Sequence, residues 1–120
     1  MKFILLVHHD ESAFEQMSEE TKRGLLEESI GLCHQLDAKG EYLNASPVHP
    51  AARAVLVRVR DGRPLVTDGP FIETREQMAG YFLIEAKDLE ESTAIATRVP
   101  GARIGTVEVR PLIEVTGLPE

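Results

Sequence analysis

The sequence predicts a single α+β domain in which two helices are interleaved with short, mostly antiparallel strands. Three features carry this prediction. Phe3 to Val7 is an unbroken apolar run that ends at His8-His9-Asp10, as a buried central strand would. Residues 54–60 alternate, with Val55, Val57 and Val59 on one face, and lead into Asp61-Gly62, the strongest short-range hairpin signal. Between them, Leu26, Ile30, Cys33 and Leu36 recur at helical spacing, with Leu25 and Leu32 widening the stripe.

Taken in order, the first strand gives way to a polar stretch from Ser12 to Met17. It can hold a short turn of helix, with Ser12 and Glu15 at capping-box spacing. Ser18 starts the long helix, and Glu19 and Glu20 sit where acidic side chains favour a helix N-terminus. Gly40 ends it, so the helix spans residues 18–39. A weaker strand, Tyr42 to Val48, is interrupted by Pro47 and Pro50. Val55, Val57 and Val59 then share one face of a strand, and Leu65-Val66-Thr67 returns after the turn. A loop over Asp68 to Gln77 precedes a strand from Met78 to Ala86. Asp88 caps the second helix with Glu91 three residues on, and Pro100-Gly101 stops it. Arg103 to Val109 is the last strand, and the chain from Pro111 to Glu120 reads as a tail or short edge strand. The domain is assigned to residues 1–115 and a C-terminal tail to 116–120.

At 120 residues the chain suits one domain, and 42% hydrophobic with 28% charged residues is an ordinary globular mixture. Aromatics make up only 5%, so branched aliphatics must fill the core. The formal net charge of −7 comes without any basic stripe, which argues against a nucleic-acid partner and against anionic membranes. A lone cysteine, Cys33, cannot form an internal disulfide. No secretory apolar region or membrane-length run is present, and the expected location is the cytoplasm.

The element order suggests a ferredoxin-like sandwich with an inserted β-hairpin, both helices covering one face of the sheet. The other face has no clearly polar series, because Tyr81, Leu83 and the run Phe3, Leu5, Val7 are all apolar or aromatic. A second copy of the chain, sheet against sheet, is the simplest cover.

The chemistry centres on Asp68-Gly69-Pro70-Phe71, followed by Ile72-Glu73-Thr74. Gly69 and Pro70 stiffen the loop and hold Asp68 and Glu73 at a strand end. One reading makes Asp68 a carboxylate at a pocket mouth that accepts a proton. The other makes it a corner residue bonded to backbone, with Phe71 plugging the core. His8 and His9 end the first strand on opposite faces, and either could act as acid or base. The sequence does not say which one faces a pocket. A metal site built from His8, His9, Asp10 or His49 lacks a second ligand pair at diagnostic spacing. His49 lies between two prolines and is expected at the surface, as is His34. Cys33 falls on the helix stripe and is expected to be a buried, inert thiol. No nucleophile elbow and no phosphate-cradling glycine loop occurs, and no cofactor is expected.

The stretches Leu65 to Phe71, Glu73 to Gln77 and Gly80 to Glu85, with the opening Met1 to Leu6 and the ending Gly105 to Pro111, resemble the DGPF-domain branch of the YCII-related family. The resemblance spans nearly the whole chain. It implies a ferredoxin-like fold pairing into a dimeric α/β barrel, and an Asp–His pair in a pocket, for which Asp68 matches the Asp. It brings no settled reaction, and bacterial members often accompany sigma factors of the extracytoplasmic type. Arg75 stands where Lys is typical, Met78-Ala79 where Leu-Gly is, and Phe82 where Tyr is frequent.

The combined expectation is a homodimeric, cofactor-free small-molecule-binding protein, with proton-transfer chemistry on a small organic acid or enol-like compound. Asp68 would accept the proton, His8 or His9 would be its partner, and Gly69, Pro70, Phe71, Glu73, Thr74 and Tyr81 would contact the ligand. The alternative is a non-catalytic interaction module linked to a sigma factor or another transcription protein.

Overall fold

The computed structural model describes residues 1–72 and 74–119. Strands β1 (Lys2–His9), β2 (Tyr42–Pro47), β5 (Gln77–Glu85) and β6 (Gly105–Pro111) form one antiparallel sheet in the order β2-β5-β1-β6. Strands β3 (Val55–Arg60) and β4 (Arg63–Asp68) form a separate two-stranded hairpin, inserted between β2 and β5. Helices α1 (Glu11–Glu15), α2 (Glu19–Ala38), α3 (Leu89–Ala96) and α4 (Gly101–Ile104) complete the chain. The order of the four-stranded sheet and its two main helices is that of a ferredoxin-like α+β sandwich. The sheet is open within one chain.

The core lies between the sheet and its helices. Phe3, Leu5 and Val7 of β1 and Phe82 and Ile84 of β5 meet Leu32 and Leu36 of α2, Ile95 and Ala96 of α3, and Val99. Each large side chain buried this way contributes on the order of 1.5–3 kcal/mol. The series Phe3, Leu5, Val7 therefore belongs to the covered face. Their half-buried alternates Ile4 and Leu6 form the open face, with Leu83 paired opposite Ile4 and Tyr81 opposite Leu6. An apolar strip thus runs along both sides of β1, because a central strand is covered by neighbours at its edges and needs apolar residues on any face that is not solvated.

Local chemistry fixes most element ends. The Ser18 hydroxyl accepts from Thr21 N at 3.1 Å and caps α2. At its other end Glu41 N donates to Leu36 O at 2.9 Å and Gly40 N to Asp37 O at 3.0 Å, with Gly40 at φ +72. That is a Schellman close, and it needs the left-handed glycine. Asp61 and Gly62 both take positive φ, 52° and 73°, as the two-residue hairpin turn demands. Asp88 accepts from Glu91 N at 2.9 Å, while the Glu91 carboxylate reaches back to Lys87 N at 3.2 Å, one residue before the cap.

Some boundaries depart from the sequence expectation. Asp10, not Ser12, caps α1, accepting from Ala13 N at 3.1 Å, because β1 runs directly into the helix. Pro100 and Gly101 follow the end of α3 but also begin α4, since proline is well suited to a first turn that has no use for its missing N–H. Arg103 and Ile104 are consequently helical and β6 begins at Gly105. From Leu112 onward the described tail is neither helix nor strand.

Candidate functional site

The N-terminal half of α2 does not pack as its sequence stripe implies. Leu32 and Leu36 are buried, whereas Leu26 and Ile30 are each 50% exposed. Between this half of the helix and the sheet lies a cavity of about 420 Å³. Leu25, Leu26, Ile30 and Cys33 form its helical wall; Val7, Phe82 and Ala45 form its sheet wall. Val48 and Pro50 close one side, and Val99, Pro100, Gly101 and Ile104 another. A volume of this size is in the range of small-molecule pockets, and so is the mixture of an apolar wall with a few polar groups.

The polar groups gather at the end of β1. His9 follows Val7 on the covered face and lines the cavity. Its ring stacks on Phe14 of α1, centroids 4.6 Å apart at 21°. Lys22 of α2 lies over Phe14, its Nζ 5.5 Å from the ring centroid. That ammonium is shared by Glu19 at 3.3 Å and Glu15 at 3.8 Å. Glu11 also lines the cavity, and its Oε2 accepts from Ala51 N at 2.8 Å, tying the start of α1 to the 3-10 turn Ala51–Arg53. Burial pushes the His9 imidazole below its ordinary value near 6.5, against the opposing pull of Glu11, Asp10 and Glu76. The ring is therefore neutral at pH 7, and one of its nitrogens is a hydrogen-bond acceptor.

Cys33 is half-buried rather than sealed in the core, and burial raises its thiol pKa. It remains a protonated thiol, as the sequence implied, but it lines a cavity. Its neighbour His34 is exposed, and His49 is exposed with its Nδ1 3.2 Å from Arg53.

The structure separates the two candidate histidines. His8 lies on the open face, its Nε2 3.3 Å from a Glu108 carboxylate oxygen. His9 faces the cavity. The facing is unambiguous because β1 pairs β6 without interruption, His8 to Thr106 and His9 to Gly105, although its pairing with β5 shifts between Val7 and His8.

Asp68 lies at the base of the hairpin, exposed, and does not line the cavity within one chain. Among the described residues no hydrogen bond satisfies its carboxylate. Gly69 is required by close approach rather than by unusual backbone angles: a Cβ there would stand 2.8 Å from Ala54 Cβ, and Gly69 N donates to Ala54 O at 2.8 Å. The Gly69–Pro70 peptide is cis. Phe71 does not plug the core; it is 71% exposed, with the Arg58 guanidinium 5.6 Å from its ring centroid. Glu73 lies outside the described residues. Thr74 is exposed and its hydroxyl donates to Glu76 O. Tyr81 is at the cavity edge by its place in β5, but its side chain belongs to the open face, where the hydroxyl donates to Asn44 Oδ1 at 2.7 Å. The residues grouped by the sequence motif thus sit on the hairpin and its return loop, and those grouped by the cavity come from α1, α2 and the ends of β1, β2 and β5.

Sequence reasoning missed Glu11, Phe14, Lys22 and Ile30 as site residues. The available signal was Phe14, an aromatic residue alone in a polar stretch next to His9. Among the described residues, no group of three or more His, Cys, Asp or Glu side chains is placed to hold a metal ion, and no helix is long and apolar enough to cross a membrane.

The fold and site define a ferredoxin-like α+β protein with an inserted hairpin and a cavity between its long helix and sheet. The model of the YCII-related domain family matches residues 1–116. An uncharacterised protein of Rhizobium meliloti (strain 1021) is 30% identical over 114 residues, covering 93% of this chain and 92% of its own length. The chain belongs to the YCII-related domain family.

Proposed function

We propose that this chain binds a small, largely apolar molecule between α2 and the sheet, with His9 accepting a hydrogen bond or a proton from it. The observation that carries this reading is a neutral imidazole placed at the polar end of a 420 Å³ cavity with apolar walls. An imidazole whose pKa is lowered by burial is a ready acceptor at neutral pH, and its stacking on Phe14 holds the ring in one orientation. Acid–base chemistry at His9 needs no cofactor.

Asp68 enters this reading through assembly. The open sheet face carries Ile4, Leu6 and Leu83, and the hairpin leaves Val55, Val57, Val59 and Val66 each at least 59% exposed. Such apolar surface favours a homodimer, in which Asp68 of the hairpin would meet the partner rather than bulk water. Light scattering should return twice the chain mass of 13.3 kDa; a monomer at micromolar concentration removes the dimer from the proposal.

The test of the cavity is a metabolite screen by thermal melting on the wild type and on Ile30→Trp, whose indole fills the space. A ligand at a hundred times its Kd adds about 2.7 kcal/mol to the native state, a readily measured rise in Tm. The reading expects hits that vanish in Ile30→Trp and weaken in His9→Gln. Hits that persist in both variants place binding elsewhere.

A further inference from the structure

The charges around His9 are unevenly matched. Lys22 is shared between Glu15 and Glu19, and Asp10 has Arg75 at 3.8 Å. Glu11, on the cavity wall, and Glu76, which acts on His9 from the residue just before β5, have no basic partner among the described residues. Each makes only neutral hydrogen bonds, Glu11 from Ala51 N at 2.8 Å and Glu76 from the Thr106 hydroxyl at 2.8 Å. A carboxylate placed against His9 would meet both negative charges and an imidazole with no positive charge to offer. A protonated amine meets an acceptor nitrogen and two unneutralised carboxylates, in a partly desolvated site where such interactions are strengthened. The helical wall of Leu25, Leu26 and Ile30 suits a hydrocarbon body behind that head group.

We propose that the cavity is selective for apolar amines: a hydrocarbon or aromatic body entering between α2 and the sheet, with its ammonium group donating to His9 and paired with Glu11. Carboxylic acids of the same body are excluded by charge. The inference rests on the cavity being the binding site, and adds the class of molecule it takes.

Three probes with one phenylethyl body separate the possibilities: 2-phenylethylamine, 2-phenylethanol and 3-phenylpropanoate, titrated calorimetrically into the full chain at pH 7.5 and low salt. The amine is expected to bind at least tenfold more tightly than the acid, with the alcohol between them. Glu11→Gln and Glu76→Gln keep an amide oxygen for Ala51 N and for the Thr106 hydroxyl and remove only the charge. Each is expected to narrow the amine-to-acid ratio several-fold with little change for the alcohol, a selective response that loosening of the fold would not give. Acid binding equal to or tighter than amine binding overturns the proposal, as does an alcohol that binds best or a ratio unchanged in both variants. These outcomes leave the cavity itself standing. If no probe binds, or if all three bind Ile30→Trp as they bind the wild type, the cavity reading falls and the proposal with it.

Discussion

Truncating α2 at two positions distinguishes a helix packed along its length from one that stands off the sheet at its N-terminal half. Leu36 is fully buried in the core cluster and Leu26 is 50% exposed at the cavity wall. Leu36→Ala removes a buried isobutyl group and leaves a void in the core cluster, a change that costs about 3–4 kcal/mol. Leu26→Ala loses about half of a leucine's transfer free energy and enlarges a space that is already open, so it costs about 1 kcal/mol. The gap of about 2–3 kcal/mol, at a slope of about 1.5 kcal/mol per molar for a small domain, moves the urea midpoints apart by about 1.5–2 M. Protein concentration must be fixed, because an associating chain unfolds with a concentration-dependent midpoint. Equal losses for the two variants at unchanged slope would refute the argument: α2 would then be packed as its stripe alone implies, and there would be no cavity at its N-terminal half.

Other consequences follow from single residues. His9 has its folded pKa below the unfolded value near 6.5, so the unfolded chain takes up this proton first as pH falls. Its contribution to stability is thus fully present above pH 6.5 and is lost as pH falls through the folded pKa. The stability difference between wild type and His9→Gln should be flat above pH 7 and should shift against the wild type below pH 6.5; a difference that is flat from pH 8 to 5 contradicts the burial of His9. Gly105→Ala would drive its Cβ into the His8 carbonyl oxygen, forcing β6 away from β1, and is expected to cost about 3 kcal/mol or more in thermal unfolding. Gly24→Ala, by contrast, meets nothing within 4 Å on the exposed side of α2 and should stabilise by about 0.5–1 kcal/mol through helix propensity alone.

Much of the fold was legible because its signals are local. The Ser18 cap, the Gly40 stop, the Asp61-Gly62 turn and the apolar run of β1 each act within a few residues, and each holds in the structure. The element order then leaves little choice of sheet topology. The site was much less legible. Leu26 and Ile30 share the periodicity of Leu36, and no periodicity reports how far a helix stands from the sheet it faces. The facing of His8 and His9 is set by pairing with β6, a partner about a hundred residues on, as the His8–Glu108 contact shows. Cys33 was read as a buried, inert thiol; it is half-buried where the core meets the cavity wall, and burial in a cavity wall and burial in a core look alike along a helix. The Asp68 to Phe71 motif identified the family while lying on an arm whose surroundings within one chain are mostly solvent.

The most direct measurement of the central claim is the ring-proton NMR spectrum of the four histidines during titration with a molecule returned by the melting screen. His9 alone should shift saturably, with its titration midpoint displaced on binding. Movement at His8 or His49 with His9 silent would contradict the account.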